Sequence, residues 1–215
     1  MEENPNHGFA VYNLAVLLEE KSAKAKMNQE ETKGEEEDEE MERIEELFIN
    51  ATRILPTDPT VLADAGRFLI SSRRDEIGGR DLLIKALQID RSSEVALFNL
   101  SIWNITKGGS ENEAKGMLEK LVKLNPRHVP ALGHLARLDA KLGRSAKSVI
   151  KRYRAAIDLS NQDDKLKLTE EAFKFTLSKL GDKEIEQDIR NRMNKILQKQ
   201  NGERVEEMKS ELSNT

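Results

Sequence analysis

The chain has 215 residues, of which 37% are hydrophobic, only 4% aromatic and 34% charged, a lean apolar content that suits a thin layered core better than one large globular one. It has no cysteine, which excludes disulfides and thiolate metal sites, and its net charge of −4 argues against nucleic acid as the main partner. The opening MEENPNHGFAVYNLAVLLEEK carries two acids where a secretory signal carries bases, and the uncharged run from Asn4 to Leu18 is too short and too polar to span a bilayer. An intracellular, cytoplasmic protein is expected.

In chain order, a polar lead precedes a predicted helix from Gly8 to Lys21, with Val11, Leu14, Ala15 and Leu18 on one face. Its partner helix is expected at about Glu40 to Leu55, apolar at Ile44, Phe48, Ala51 and Ile54 and closed by Pro56 and Pro59. Between Glu30 and Glu46 lie eleven acids against Lys33 and Arg43, a local charge of −9. A run of like charge with nothing apolar to bury does not offset the entropy of ordering, so a disordered acidic insertion is expected at about 27–41. Helices then follow near Thr60–Ser72, Gly79–Ile89, Ser93–Thr106, Glu111–Leu124, Val129–Leu142 and Ser145–Leu159, with turns at Arg73-Arg74-Asp75, Lys107-Gly108-Gly109 and Gly143. Beyond Asn161 the pattern fades into two capping helices over 162–200, marked by Leu166, Phe173, Leu177 and Leu180 and then by Ile185, Ile189, Met193, Ile196 and Leu197. A polar tail, 201–215, closes the chain.

These helices share a register. Leu62, Leu97 and Leu132 are each 35 residues apart, and Ala65, Leu100 and Leu135 recur in phase, as do Gly66, Ser101 and Ala136. The second helices align at Leu83, Leu118 and Tyr153, and at Ala86, Leu121 and Ala156. Small and apolar residues returning at this period mark a stacked helical-hairpin repeat.

The third repeat reads Leu97, Leu100-Ser101, Asn104, Ala114, Leu118 and Pro126, and the fourth reads Leu132, Leu135-Ala136, Asp139, Val149, Tyr153 and Asn161. The second has Leu62, Ala65-Gly66, Leu69, Gly79, Leu83 and Arg91, and the first has Val11, Leu14-Ala15, Leu18, Ile44, Phe48 and Pro56. Over about residues 4–161 this pattern resembles the tetratricopeptide repeat. The resemblance implies an all-α, right-handed superhelical solenoid of about four hairpins over 1–161, followed by the capping pair. It also implies a non-catalytic scaffold that binds a peptide or partner helix in a concave groove lined by the first helices.

On that reading the groove residues are Asn13, Asp64, Asn99 and His134, with Tyr12 and Phe98 beside them and Val16, Arg67, Ile102 and Arg137 one turn on. An amide offers both a donor and an acceptor to an extended main chain, and the aromatics and arginines suit apolar and acidic side chains. The bland alternative makes them ordinary polar residues of a half-exposed rim. The carboxylate-clamp members of the family use lysine and asparagine where this chain has Tyr12 and Val16, so chaperone clamping is not expected. A second cluster, Arg137, Lys141, Arg144, Lys147, Lys151, Arg152 and Arg154 against Asp139 alone, reads either as an anion-binding face or as a solvated one. His7, His128 and His134 are scattered and lack metal-ligand spacing, and no phosphate loop or nucleophile elbow occurs, so neither metal, cofactor nor catalysis is expected. Two further readings are an adaptor part of a larger enzyme, such as a glycosyltransferase, and an RNA-binding helical repeat of the pentatricopeptide kind. The first helix is apolar almost all round from Phe9 to Leu18, which suggests self-association or missing upstream repeats at that end.

Overall fold

The computed structural model describes residues 5–27, 34–72, 74–179, 184, 187–192, 194–196 and 198. They form α1 (Pro5–Met27), α2 (Gly34–Ile54), α3 (Pro59–Ser71), α4 (Glu76–Ile89), α5 (Glu94–Thr106), α6 (Glu111–Leu124), α7 (Val129–Lys141), α8 (Ala146–Leu159) and α9 (Gln162–Lys179), with further helical residues between 184 and 198. The described residues contain no strand. The fold is an all-α repeat of helical hairpins in two compact units, Met1–Ser110 with α1 to α5 and Glu111–Thr215 with α6 onward.

The helix starts are written into local chemistry. Asp58 accepts from the amides of Thr60 and Val61 at 2.9 and 3.0 Å, with Pro59 in the first turn of α3, where a missing N–H costs nothing. Asp75 caps α4 through the Gly78 amide at 2.8 Å, Ser93 caps α5, Ser145 caps α8, and His128 Nδ1 accepts from the Ala131 amide to cap α7. After α5 and α7 the chain turns through Gly108 and Gly143 at φ 78° and 66°, a left-handed backbone that a Cβ would strain.

In the first unit, α2 lies against both α1 and α3. Ala15 of α1, Ile44 and Phe48 of α2, and Ala65, Phe68 and Leu69 of α3 form one buried cluster, with the Phe48 and Phe68 rings 5.2 Å apart. Ala51, Leu55 and Val61 form a smaller one. The hairpin of α3 and α4 crosses at two glycines: a Cβ on Gly66 would meet the Gly79 carbonyl at 2.6 Å, and one on Gly79 would meet the Gly66 carbonyl at 2.7 Å. Gly79 therefore serves close helix packing in the first turn of α4, and is no part of a turn between helices. In the second unit Leu132 and Ala136 of α7, Val149, Ile150, Tyr153, Ala156 and Ile157 of α8, Leu168 and Ala172 of α9, and Ile189 make the core.

Two expectations change. The sequence leads one to expect a disordered acidic insertion at 27–41, but α1 continues to Met27 and α2 starts at Gly34, so 34–41 is helical; residues 28–33 lie outside the described set. Acids in the first turns of a helix are favoured by the exposed amide dipoles there. Cations reach the same end, since Lys26 pairs with Glu37 at 2.5 Å and Arg74 donates to the Asp38 carbonyl at 3.1 Å. The second change is the orientation of α1. Leu14, expected on the core face, is exposed, whereas Tyr12 and Val16, expected in the groove, are half-buried against the core. At the other end, Leu180, Ile185, Met193, Leu197 and the tail 201–215 lie outside the described residues.

Candidate functional site

The predicted groove residues of the first unit sit on three first helices: Tyr12, Asn13 and Val16 on α1, Asp64 and Arg67 on α3, Phe98, Asn99 and Ile102 on α5. Four of the polar side chains on α1 and α3 form a ladder. The Tyr12 hydroxyl donates to Asp64 at 2.7 Å, and Arg67 Nε lies 3.6 Å from the same carboxylate. Both terminal nitrogens of Arg67 donate to Glu19, at 2.7 and 2.6 Å, a two-pronged pair with a fixed plane. Partial burial and the bond to Asp64 push the Tyr12 phenol well above its usual range, and the Glu19 bond raises the already basic Arg67. Glu19 was not singled out in the sequence; its only signal is a carboxylate one turn beyond Val16 on the same side of α1.

Asn13 is exposed on α1. On α5, Asn99 is half-buried and its Nδ2 donates to the Val95 carbonyl one turn back at 2.9 Å, so its amide oxygen is the group that can accept. Phe98 and Ile102 are half-buried beside it. Trp103, also half-buried, carries the Arg80 guanidinium 5.0 Å above its ring, and its buried indole N–H has no hydrogen-bond partner among the described residues.

In the second unit, α7 carries His134 and Arg137. Arg137 donates to both oxygens of Glu171 on α9, at 2.7 and 3.1 Å. His134 borders a hollow of about 200 Å³ lined by Val129, Pro130, Gly133, Arg137, Lys167 and Leu168. Burial first, then the Arg137 and Lys167 charges, lower its imidazole to about 4 against an opposing pull from Glu171, so His134 is neutral at pH 7.

The two arginines expected to meet acidic side chains of a ligand are thus each held by a glutamate of the chain itself. Four of the seven residues of the basic cluster are also paired within the chain, Arg137 with Glu171 among them. Lys141 pairs with Glu111, Arg154 with Asp188 at 2.8 Å, and Arg152 with Asp139 at 2.7 Å and Glu119 at 3.1 Å. Asp139 is a buried member of that network, also 3.4 Å from Lys115. Among the described residues no three His, Asp or Glu side chains converge as metal ligands, and no helix is long and apolar enough to cross a membrane.

The arrangement has clear likenesses among solved structures. MamA from Desulfovibrio magneticus RS-1 aligns with a TM-score of 0.59 at 15% identity, covering 87% of this chain and 96% of that one. YrrB, described as a tetratricopeptide-repeat protein with an unusual peptide-binding site, gives 0.61 at 16% identity over 86% and 84%. Yeast Tom70 gives 0.62 at 19% identity, covering 87% of this chain and 37% of its own length. Neither protein-family models nor curated sequences give a match. The likeness is one of fold: the chain has the tetratricopeptide-repeat architecture.

Proposed function

We propose that the chain is a non-catalytic interaction scaffold that holds an extended peptide or a partner helix along the face made by α1, α3 and α5. The observation that carries this reading is the ladder from Tyr12 through Asp64 and Arg67 to Glu19, which ties α1 to α3. It holds the two helices in place, and Asn13 and the amide oxygen of Asn99 are the groups that meet a ligand's main chain. A face fixed before binding loses little entropy on association. Because Arg67 is committed to Glu19, recognition rests on the amides for main-chain hydrogen bonds and on Phe98 and Ile102 for apolar side chains, rather than on acidic ones. The fold shared with YrrB, a protein described as having a peptide-binding site, agrees with this reading.

Selection of peptides from a random library against the full chain tests it, followed by titration of the selected peptide against Asn13→Ala with Asn99→Ala. The double change is expected to leave the melt unaltered and weaken binding by about 2 kcal/mol, roughly 1 per lost hydrogen bond. Unchanged affinity would return both asparagines to an ordinary rim.

A further inference from the structure

A hollow of about 420 Å³ lies where the C-terminal ends of α1 and α3 meet the N-terminal part of α2, all within the first unit. One buried hydroxyl on its wall is unspent. Among the described residues three hydroxyl side chains are buried: Ser22, Ser101 and Thr169. Ser101 donates to the Phe98 carbonyl and Thr169 to the Lys165 carbonyl, both at 2.6 Å, the ordinary outlet for a hydroxyl inside a helix. Ser22, only 6% exposed, lines the hollow, and its hydroxyl has no hydrogen bond among the described residues. A polar group buried in this way lowers stability until something pairs with it.

The other polar groups on the wall decide what that partner is. Ser71 and Ser72 have already given their protons, to the Phe68 carbonyl at 3.0 Å and the Leu69 carbonyl at 3.3 Å, so toward the hollow their oxygens can only accept. The two cations on the wall are held by acids of α2: Lys26 by Glu37 at 2.5 Å, and Arg74 by Glu45 at 3.4 Å. Glu19 is taken by Arg67. There remains the Asp38 carboxylate, which has no ion pair among the described residues, so the wall carries three carboxylates against two cations. What is unspent is acceptor oxygen and negative charge, and that calls for a cationic donor.

A metal ion fits poorly, because no three acidic or histidine side chains converge among the described residues. The acceptors are instead spread over three helices, and Met41 and Phe68 add apolar surface to the wall. A guanidinium is planar with five N–H donors and can reach several such acceptors at once while its methylene stem lies on the apolar part; an ammonium is a point charge with three donors. We propose that this hollow binds the guanidinium of an arginine side chain, with Asp38 as its counter-charge and the oxygens of Ser22, Ser71 and Ser72 as acceptors. Glu19 belongs both to the ladder and to this wall, so the hollow adjoins the face of α1 and α3. The arginine comes from a peptide held on that face, a source that rests on the function proposed above. The scaffold thereby gains a preference for a basic residue at one end of its ligand.

The probe for the hollow itself is Nα-acetylarginine methylamide, titrated into the isotope-labelled full chain and followed by amide NMR. It needs no peptide along α1, α3 and α5, so Asn13→Ala with Asn99→Ala should leave its affinity unchanged, and failure of the groove and failure of the hollow read separately. Saturable shifts are expected at Ser22, Asp38 and Ser71. The neutral citrulline analogue should bind at least about tenfold more weakly, since a bond to a charged group is worth more than a neutral one. The lysine analogue should also bind more weakly than the arginine probe. Ser22→Ala with Asp38→Asn should weaken the arginine probe at least about tenfold. The thermal melt should hold, because Ser22 has no bond to lose and Asp38 is exposed. Peptides selected against the full chain should carry an arginine whose change to citrulline weakens binding to wild type but not to the Ser22→Ala, Asp38→Asn chain. No saturable shift, equal binding of the arginine and citrulline probes, or an unaffected double variant would overturn the site. Equal binding of the lysine probe would overturn the guanidinium, and selected peptides without such an arginine would overturn its source.

Discussion

Arg152 Nε sits 2.7 Å from Asp139 Oδ2, and Asp139 is 1% exposed. Asp139 holds the register position that Leu18 fills in α1, Leu69 in α3 and Asn104 in α5, so a charge stands where the first two repeats place a hydrocarbon and the third a neutral amide. It is tolerated because Arg152 and Lys115 both reach it and Glu119 closes the network on their far side.

Removing one partner from such a site costs more than replacing the charge by an apolar group of similar size, because the first leaves a buried charge poorly compensated. Arg152→Ala should therefore destabilise by about 3 kcal/mol, whereas Asp139→Leu should cost under about 1.5 kcal/mol, with Glu119 still available to both cations. Urea unfolding of the two variants provides the comparison. The reverse order would mean that the network stabilises the fold beyond what a leucine can supply.

The glycine crossing of α3 and α4 makes a contrasting pair. Gly79→Ala places a methyl against the Gly66 carbonyl, and overpacking of this kind costs about 1 to 3 kcal/mol. Gly116, exposed in the middle of α6 with open space around it, should gain about 0.5 to 1 kcal/mol as alanine from helix propensity alone. Thermal melts that shifted the same way for both would refute the close approach.

The shared register predicts unequal costs for equivalent leucines. Leu135 is fully buried in α7, and Leu135→Ala should cost about 2 to 5 kcal/mol. Leu14→Ala, at the same place in α1 but 41% exposed, should cost less than about 1 kcal/mol. Chemical denaturation of each against wild type measures the difference, and near-equal losses would show that something in the chain covers α1.

His134 gives a pH dependence whose sign follows from its surroundings. Its imidazole falls to about 4 in the folded chain from the ordinary 6.5, so between those values the unfolded chain binds more protons. The stability it supports is complete above about pH 6.5 and is lost as pH falls toward 4. His134→Gln should flatten that segment of a stability-against-pH curve, and the imidazole carbon resonance should titrate near 4 rather than 6.5. A resonance moving at the ordinary value would mean the ring is open to water.

Much of this fold was readable from the phase of its small and apolar residues. Leu62, Leu97 and Leu132 are all buried, as are Ala65, Leu100 and Leu135, because a strict period leaves each only one place to go. The failures have two physical sources. A helical wheel shows that α1 has apolar residues on several sides, but which side is covered depends on neighbours, so the exposure of Leu14 is not readable from it. Ion pairs between helices have no period either: Arg67 reaches back 48 residues to Glu19, while Arg137, in the same register position, reaches forward 34 to Glu171. A candidate site read from residue type alone does not show that each of these arginines is paired with a glutamate of the chain.

The ladder and its counterparts have a consequence for how the chain forms during synthesis. Tyr12 to Asp64, Arg67 to Glu19, Arg137 to Glu171 and Arg154 to Asp188 join residues between 34 and 52 apart. A ribosome making about 5 to 20 residues per second takes roughly 2 to 7 s to deliver one further period of the repeat. Helices and loops close in microseconds, so each hairpin has ample time to find its neighbour before the next one emerges. No pairing among these four waits for the far end of the chain, and assembly can keep pace with translation from the first hairpin onward.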